Sequence, residues 1–114
     1  MNEEFLNKWK SQVKKGALSF LVLNLLKQKE KYGYEIIEEI SRIATIDIAE
    51  GTLYPLLNRL KTEGLVDSSW IEQPSGIPRK YYVLTKTGKS TLLAMGEFWE
   101  RLSESIKKCG YEEN

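Results

Sequence analysis

The chain has 114 residues, 41% of them hydrophobic and 29% charged, which suits one ordinary folded domain and excludes a disordered or fibrous chain. It has no histidine and a single cysteine, Cys109, so zinc sites and Ser-His or Cys-His catalysis fail on inventory, and neither metal nor cofactor is expected. The net charge of +1 decides nothing about nucleic acid, because a basic stripe on one face can be cancelled by acids elsewhere. The opening MNEEFLNKWK is acidic and amphipathic, unlike an export signal, and the apolar run at 17–26 is too short to cross a bilayer, so the cytoplasm is the expected location. Carboxylate-only catalysis has little to build on, since Glu35, Glu38 and Glu39 read as the wet side of a helix and no glycine-rich phosphate loop is present. A non-enzyme with a free thiol at Cys109 is the expectation.

Residues 3–15 form an amphipathic, basic helix with Phe5, Leu6, Trp9 and Val13 on one side and Lys8, Lys10, Lys14 and Lys15 around the rest. The aromatics suit packing on a large apolar surface, and Lys14 suits a phosphate backbone. Gly16 is expected to break this helix. A second one follows at 18–26, apolar nearly all round and therefore central to a core. Residues 27–32 read as a charged connector, and Gly33 as a turn. The third helix, 34–44, directs Ile36, Ile37, Ile40 and Ile43 inward and Glu35, Glu38, Glu39 and Arg42 to water.

After a link at 45–49, with Asp47 and Glu50 at capping-box spacing, comes the segment EGTLYPLLNRLKTEG at 50–64. Leu53, Leu56, Leu57 and Leu60 recur at i, i+3, i+4 and i+7 and must be buried. The opposite face gathers Gly51, Tyr54, Pro55, Asn58 and Arg59, flanked by Thr52 and Lys61. Asn58 and Arg59 can bond base edges, while Thr52 and Lys61 suit phosphate oxygens. Pro55 cannot donate to the carbonyl of Gly51, so the helix either starts in effect near Thr52 or bends in its first turn. Gly64 is placed to end it. Helix, short turn and helix with a basic polar face form a helix-turn-helix.

Residues 66–73 and 79–85 read as two strands around the turn 74–78, a hairpin placed as a wing, with Arg79 and Lys80 either reaching phosphates or keeping an edge strand soluble. Tyr81 and Tyr82 point to opposite faces, so at most one is core. The last helix, 85–109, starts at a candidate N-cap, Thr85. Its Leu92, Met95, Trp99, Leu102, Ile106 and Cys109 are spaced like a coiled-coil seam, broadened by Leu93 and Phe98. The seam either folds back on its own domain or meets the same seam of a second copy.

With GTLYPLLNRLKTEGLV, the hairpin and RKYYVLTKTGK in place, residues 16–89 closely resemble the PadR-like transcriptional regulators. The single short C-terminal helix is similar to that of the compact subfamily that includes multidrug-responsive repressors. The resemblance implies an α+β, mostly α fold: a winged helix-turn-helix with an N-terminal amphipathic helix (1–85) and a C-terminal dimerisation helix (86–114). It implies a homodimeric repressor on a double-stranded, inverted-repeat operator, with the recognition helix at 50–63 and the wing at 66–85. The DNA-facing positions of such proteins fall on Thr52, Tyr54, Asn58, Arg59, Gly76, Arg79 and Lys80; Lys14 and Lys61 join them as phosphate contacts. Leu92, Met95, Trp99, Leu102 and Ile106 would form the dimer interface. By the same resemblance Trp99 would stack on a planar aromatic, drug-like effector, with Phe5, Trp9 and Met95 as the adjoining wall, although Trp99 equally fits a packed seam. The wing tip PSGIP departs from expectation in carrying no basic residue. A protein-interaction module and a DNA-binding protein without effector remain as alternative functions.

Overall fold

The four leucines of the central segment are the floor on which the rest is laid. In the computed structural model, which describes residues 1–43 and 45–111, the order of elements is α1 (Glu3–Gln28), β1 (Lys31–Tyr32), α2 (Gly33–Ile43), α3 (Glu50–Thr62), β2 (Val66–Ile71), β3 (Arg79–Leu84) and α4 (Lys86–Lys108). Leu53, Leu56, Leu57 and Leu60 of α3 are all buried. They meet Val22, Leu23, Leu25 and Leu26 of α1, Ile36 and Ile40 of α2, and Val66, Tyr82 and Leu84 of the sheet. The strands run in the order β1-β3-β2, antiparallel throughout, with Val66 opposite Leu84 and Trp70 opposite Lys80. Tyr82 is the tyrosine that enters the core; Tyr81 lies on the other face against Tyr32, ring centroids 5.4 Å apart.

Several expectations are corrected. Gly16 does not break the first helix: α1 runs through it as one helix of 26 residues, capped by the Asn2 side chain accepting from the Phe5 N–H. A helical glycine costs only about 1 kcal/mol, and the buried residues from Val22 onward anchor a helix that the first half merely prolongs. The connector at 27–32 contains β1, a strand of two residues that exists only by pairing with β3. Within it Lys31 is 1% exposed, and its Nζ lies 3.0 Å from Oε1 of Glu39, which therefore turns inward from the face assigned to water. The capping box at Asp47 does not form: the N-cap of α3 is Ala49, without a side-chain cap, and the helix starts at Glu50 with Pro55 inside it. Ile43 is exposed, because α2 carries it beyond the core. Ala44 lies outside the described residues. The strands stop at Ile71 and Leu84, slightly short of the expected ends.

Gly64 ends α3 as anticipated. With φ +78° it takes the left-handed conformation, its N–H reaches the Lys61 carbonyl, and the Leu65 N–H reaches the Leu60 carbonyl, the paired bonds of a Schellman motif. Thr85 then fastens three elements. Its Oγ1 accepts from the Gly88 N–H at 2.9 Å as the N-cap of α4 and donates to the Gly64 carbonyl at 2.6 Å, while its own N–H reaches the Leu65 carbonyl.

The first half of α1 and the second half of α4 project from this core as arms. The Cα radius of gyration is 16.6 Å and the extents are 57 × 31 × 22 Å, against about 13 Å for a compact domain of this length. No helix of the described residues is long and apolar enough to cross a membrane.

Candidate nucleic-acid interface

Helix α3 buries its leucines and leaves Gly51, Thr52, Tyr54, Pro55, Asn58, Arg59 and Lys61 exposed, the whole of the opposite face. This exposed face has two sides. Tyr54 and Asn58 look toward the wing, where with Arg79, Lys80, Trp70, Tyr32, Gly33 and Tyr82 they line a cleft of about 410 Å³. Tyr54 is seated by Gly33: a Cβ at that glycine would overlap the tyrosine ring. Burial pushes the Tyr82 hydroxyl above its ordinary pKa, and the neighbouring Tyr54 adds to the shift. Arg79 is steadied at the cleft by its guanidinium, which lies 4.5 Å from the centroid of the Tyr32 ring.

The other side of α3 behaves differently. Arg59 turns toward α1, its Nη2 donating to Ser19 Oγ at 3.4 Å, a contact long enough to leave the guanidinium movable. Lys61 bridges to the wing, donating to Ser68 Oγ at 2.8 Å. Thr52 stands exposed in the first turn of α3. Gly76, with φ +86°, turns the exposed wing tip. Lys14 does not line this cleft; it lines a hollow with Trp9, Ile43, Ile46 and Trp99.

The arms form a second region. Trp9, Met95 and Trp99 line one groove of about 860 Å³ between α1 and α4, together with Val13, Phe98, Leu102 and Ile106. Trp99 also meets Phe20, ring centroids 5.7 Å apart. Phe5 is not among the groove's residues and stands 67% exposed on the first turns of α1. Leu92 is buried at the base of α4. Leu93 and Phe98 are 67% and 59% exposed.

Sequence reasoning passed over Tyr32, Gly33, Trp70 and Tyr82 as lining of the cleft. For Trp70 a signal existed: alternation from Val66 through Ser68 puts it on the inner face of the hairpin. For Tyr32 and Gly33 the signal was the Tyr-Gly-Tyr run in what read as a connector.

A helix-turn-helix whose second helix is exposed beside a strand-paired hairpin defines a winged helix-turn-helix protein. Residues 22–94 match the sequence model of the transcriptional regulator PadR-like family. The chain is similar to a PadR-like transcription factor from Bacteroides fragilis, at 38% identity with 90% of this chain and 99% of that one covered and a TM-score of 0.77. It is also similar to a PadR family transcriptional regulator from Eggerthella lenta, at 32% identity, coverage of 98% and 96%, and a TM-score of 0.84. An uncharacterised protein of Lysinibacillus sphaericus is 33% identical over 99 residues, 85% of this chain and 91% of that protein. The chain belongs to the PadR-like family of transcriptional regulators.

Proposed function

We propose that this regulator is a homodimeric repressor that sets α3 of each protomer into the major groove of an inverted-repeat operator and rests its wing on the adjoining backbone. Charge distribution carries the reading. The chain as a whole is only +1, yet Tyr54, Asn58, Arg79 and Lys80 surround one cleft with no carboxylate among its lining residues. Asn58 and Arg59 read base edges; Thr52, Lys61, Arg79, Lys80 and, more remotely, Lys14 meet phosphates, and Gly76 lets the wing tip approach closely. Two half-sites one helical turn apart, roughly 34–36 Å, are expected.

Residues 1–85 act as the DNA-binding unit and 86–114 as the dimerisation element. Support for the dimer comes from the arms, whose Trp99, Leu102 and Ile106 present apolar surface that the single chain does not cover. Within the dimer, Trp9, Met95 and Trp99, joined by Phe5, bind a planar aromatic effector that releases the operator. The groove volume falls within the range of small-molecule sites. Release requires that the effector bind the DNA-incompetent dimer better than the competent one.

The test is fluorescence anisotropy of labelled DNA from upstream of the protein's own gene and from a genomic selection of bound fragments, with wild type and Arg59→Ala at two salt concentrations. Nanomolar binding that weakens steeply with salt and loses its preference over scrambled DNA in Arg59→Ala is expected. Binding that is weak and indifferent to sequence, salt and substitution would assign the α3 face to a protein partner. Planar dyes are then added: thermal stabilisation without any change in DNA affinity would reject effector release.

A further inference from the structure

We propose that Trp70 is a DNA-contacting residue, its indole forming the wing-side wall of the cleft opposite Tyr54 and packing on the sugar-phosphate chain of one strand, whatever the base sequence. The inference rests on the reading of α3 and the wing as a DNA-binding surface.

Three residues of β2 share the inner face of the hairpin. Val66 is sealed in the core and Ser68 accepts from Lys61, but Trp70 comes where the core has ended and is 67% exposed. A large apolar ring on a strand near the wing tip is not explained by packing within the chain. Its cross-strand partner is Lys80. The Lys80 ammonium lies 5.8 Å from the Trp70 ring centroid and 5.9 Å from that of Tyr82, so two aromatic rings hold the charge over the inner face. Across the cleft stands Tyr54, with Asn58 one turn further along α3.

An exposed aromatic ring with a cation beside it matches the alternation of sugar and phosphate along a nucleotide backbone. The deoxyribose offers an apolar face to the indole, and the phosphate meets Lys80. The indole N–H adds a donor for a second phosphate oxygen. Bases of a duplex stay stacked on one another, so the sugar is the apolar surface that intact DNA presents here. Such a contact positions the protein without reading sequence.

Because the contact is independent of sequence, a random-sequence duplex at low salt is the probe. Wild type, Trp70→Ala, Trp70→Phe and Lys80→Ala are titrated by anisotropy over a series of salt concentrations, and tryptophan fluorescence is followed on adding DNA. Trp70→Ala should weaken binding about tenfold, in keeping with the loss of apolar area covered by the sugar, with an unchanged salt slope because no charge is lost. Lys80→Ala should reduce the slope by about one. Trp70→Phe should keep most of the affinity and lose most of the fluorescence response. Should Trp70→Ala fail to fold, Trp70→Phe and the fluorescence response decide the matter. If wild type binds normally but Trp70→Ala binds as well, or the response survives in Trp70→Phe, this inference alone is overturned. If wild type shows no salt-sensitive binding to any duplex, the DNA reading falls with it.

Discussion

Helices α3 and α4 carry apolar stripes of the same helical spacing, yet Leu53 and Leu57 of α3 are fully buried while Trp99, Leu102 and Ile106 of α4 are 41, 40 and 47% exposed. Helix α1 repeats the contrast within itself: Val22 and Leu23 are sealed, and Phe5, Trp9 and Val13 stand 67, 52 and 43% exposed. The head of the molecule closes on its own side chains. The arms present the same kind of stripe, received only in part, as where Trp99 meets Phe20, and periodicity alone says that a face must be covered, not by which molecule.

The largest expected effect tests that division directly. Leu57→Ala should cost about 2–5 kcal/mol of unfolding free energy, at any protein concentration. Leu102→Ala should leave the stability of the head intact and instead shift the proposed dimer toward monomer. Urea denaturation at two protein concentrations, with sedimentation velocity, separates these; a large loss in Leu102→Ala that is independent of concentration would erase the distinction.

Ion pairs should divide in the same way. In the head, Glu39→Ala strands the ammonium of Lys31 in the core and should cost about 3 kcal/mol, whereas Lys31→Met keeps the volume and should cost under about 1.5 kcal/mol. In the arm, Glu4 pairs with Lys8 at 3.3 Å with both side chains largely exposed, and Glu4→Ala should barely register. Equal urea midpoints for Glu39→Ala and Glu4→Ala would show that the buried pair does not help to close the head.

The smallest effect is in pH. Folding raises the Tyr82 pKa above the ordinary 10.0, so the folded state holds its proton more tightly than the unfolded chain. Its contribution to stability is complete below pH 10 and is lost as pH climbs through the raised value. The urea midpoint of wild type should fall there more than that of Tyr82→Phe, and parallel curves for the two proteins would refute the assignment.

Most of the head was legible in the sequence because its signals are local. The leucine spacing of α3, Gly64 at its end and Thr85 at the start of α4 each act within a few residues. What escaped was settled at a distance. Strand β1 exists only because β3 lies beside it. Lys31 is tolerable in a core only because Glu39 comes round on α2, and local propensity at Gly16 yielded to the packing of the residues that follow. The candidate site divides likewise: the exposed residues of α3 and the wing could be named from the sequence. That Tyr54 and Asn58 share a cleft with Trp70 and Lys80, while Arg59 turns to Ser19, depends on where the hairpin lands.

The triple fastening at Thr85 has a mechanical consequence. A Cβ at Gly88 would collide with the carbonyl of Leu65, so the foot of α4 is clamped against the very residue that closes α3, with no compliant linker between them. Helix α4, about 35 Å long at 1.5 Å per residue, is thus a rigid handle on the head. In the proposed dimer, turning the handle through a small angle at its far end swings the entire head, and the reach between the two heads can change while every bond inside each stays as it was.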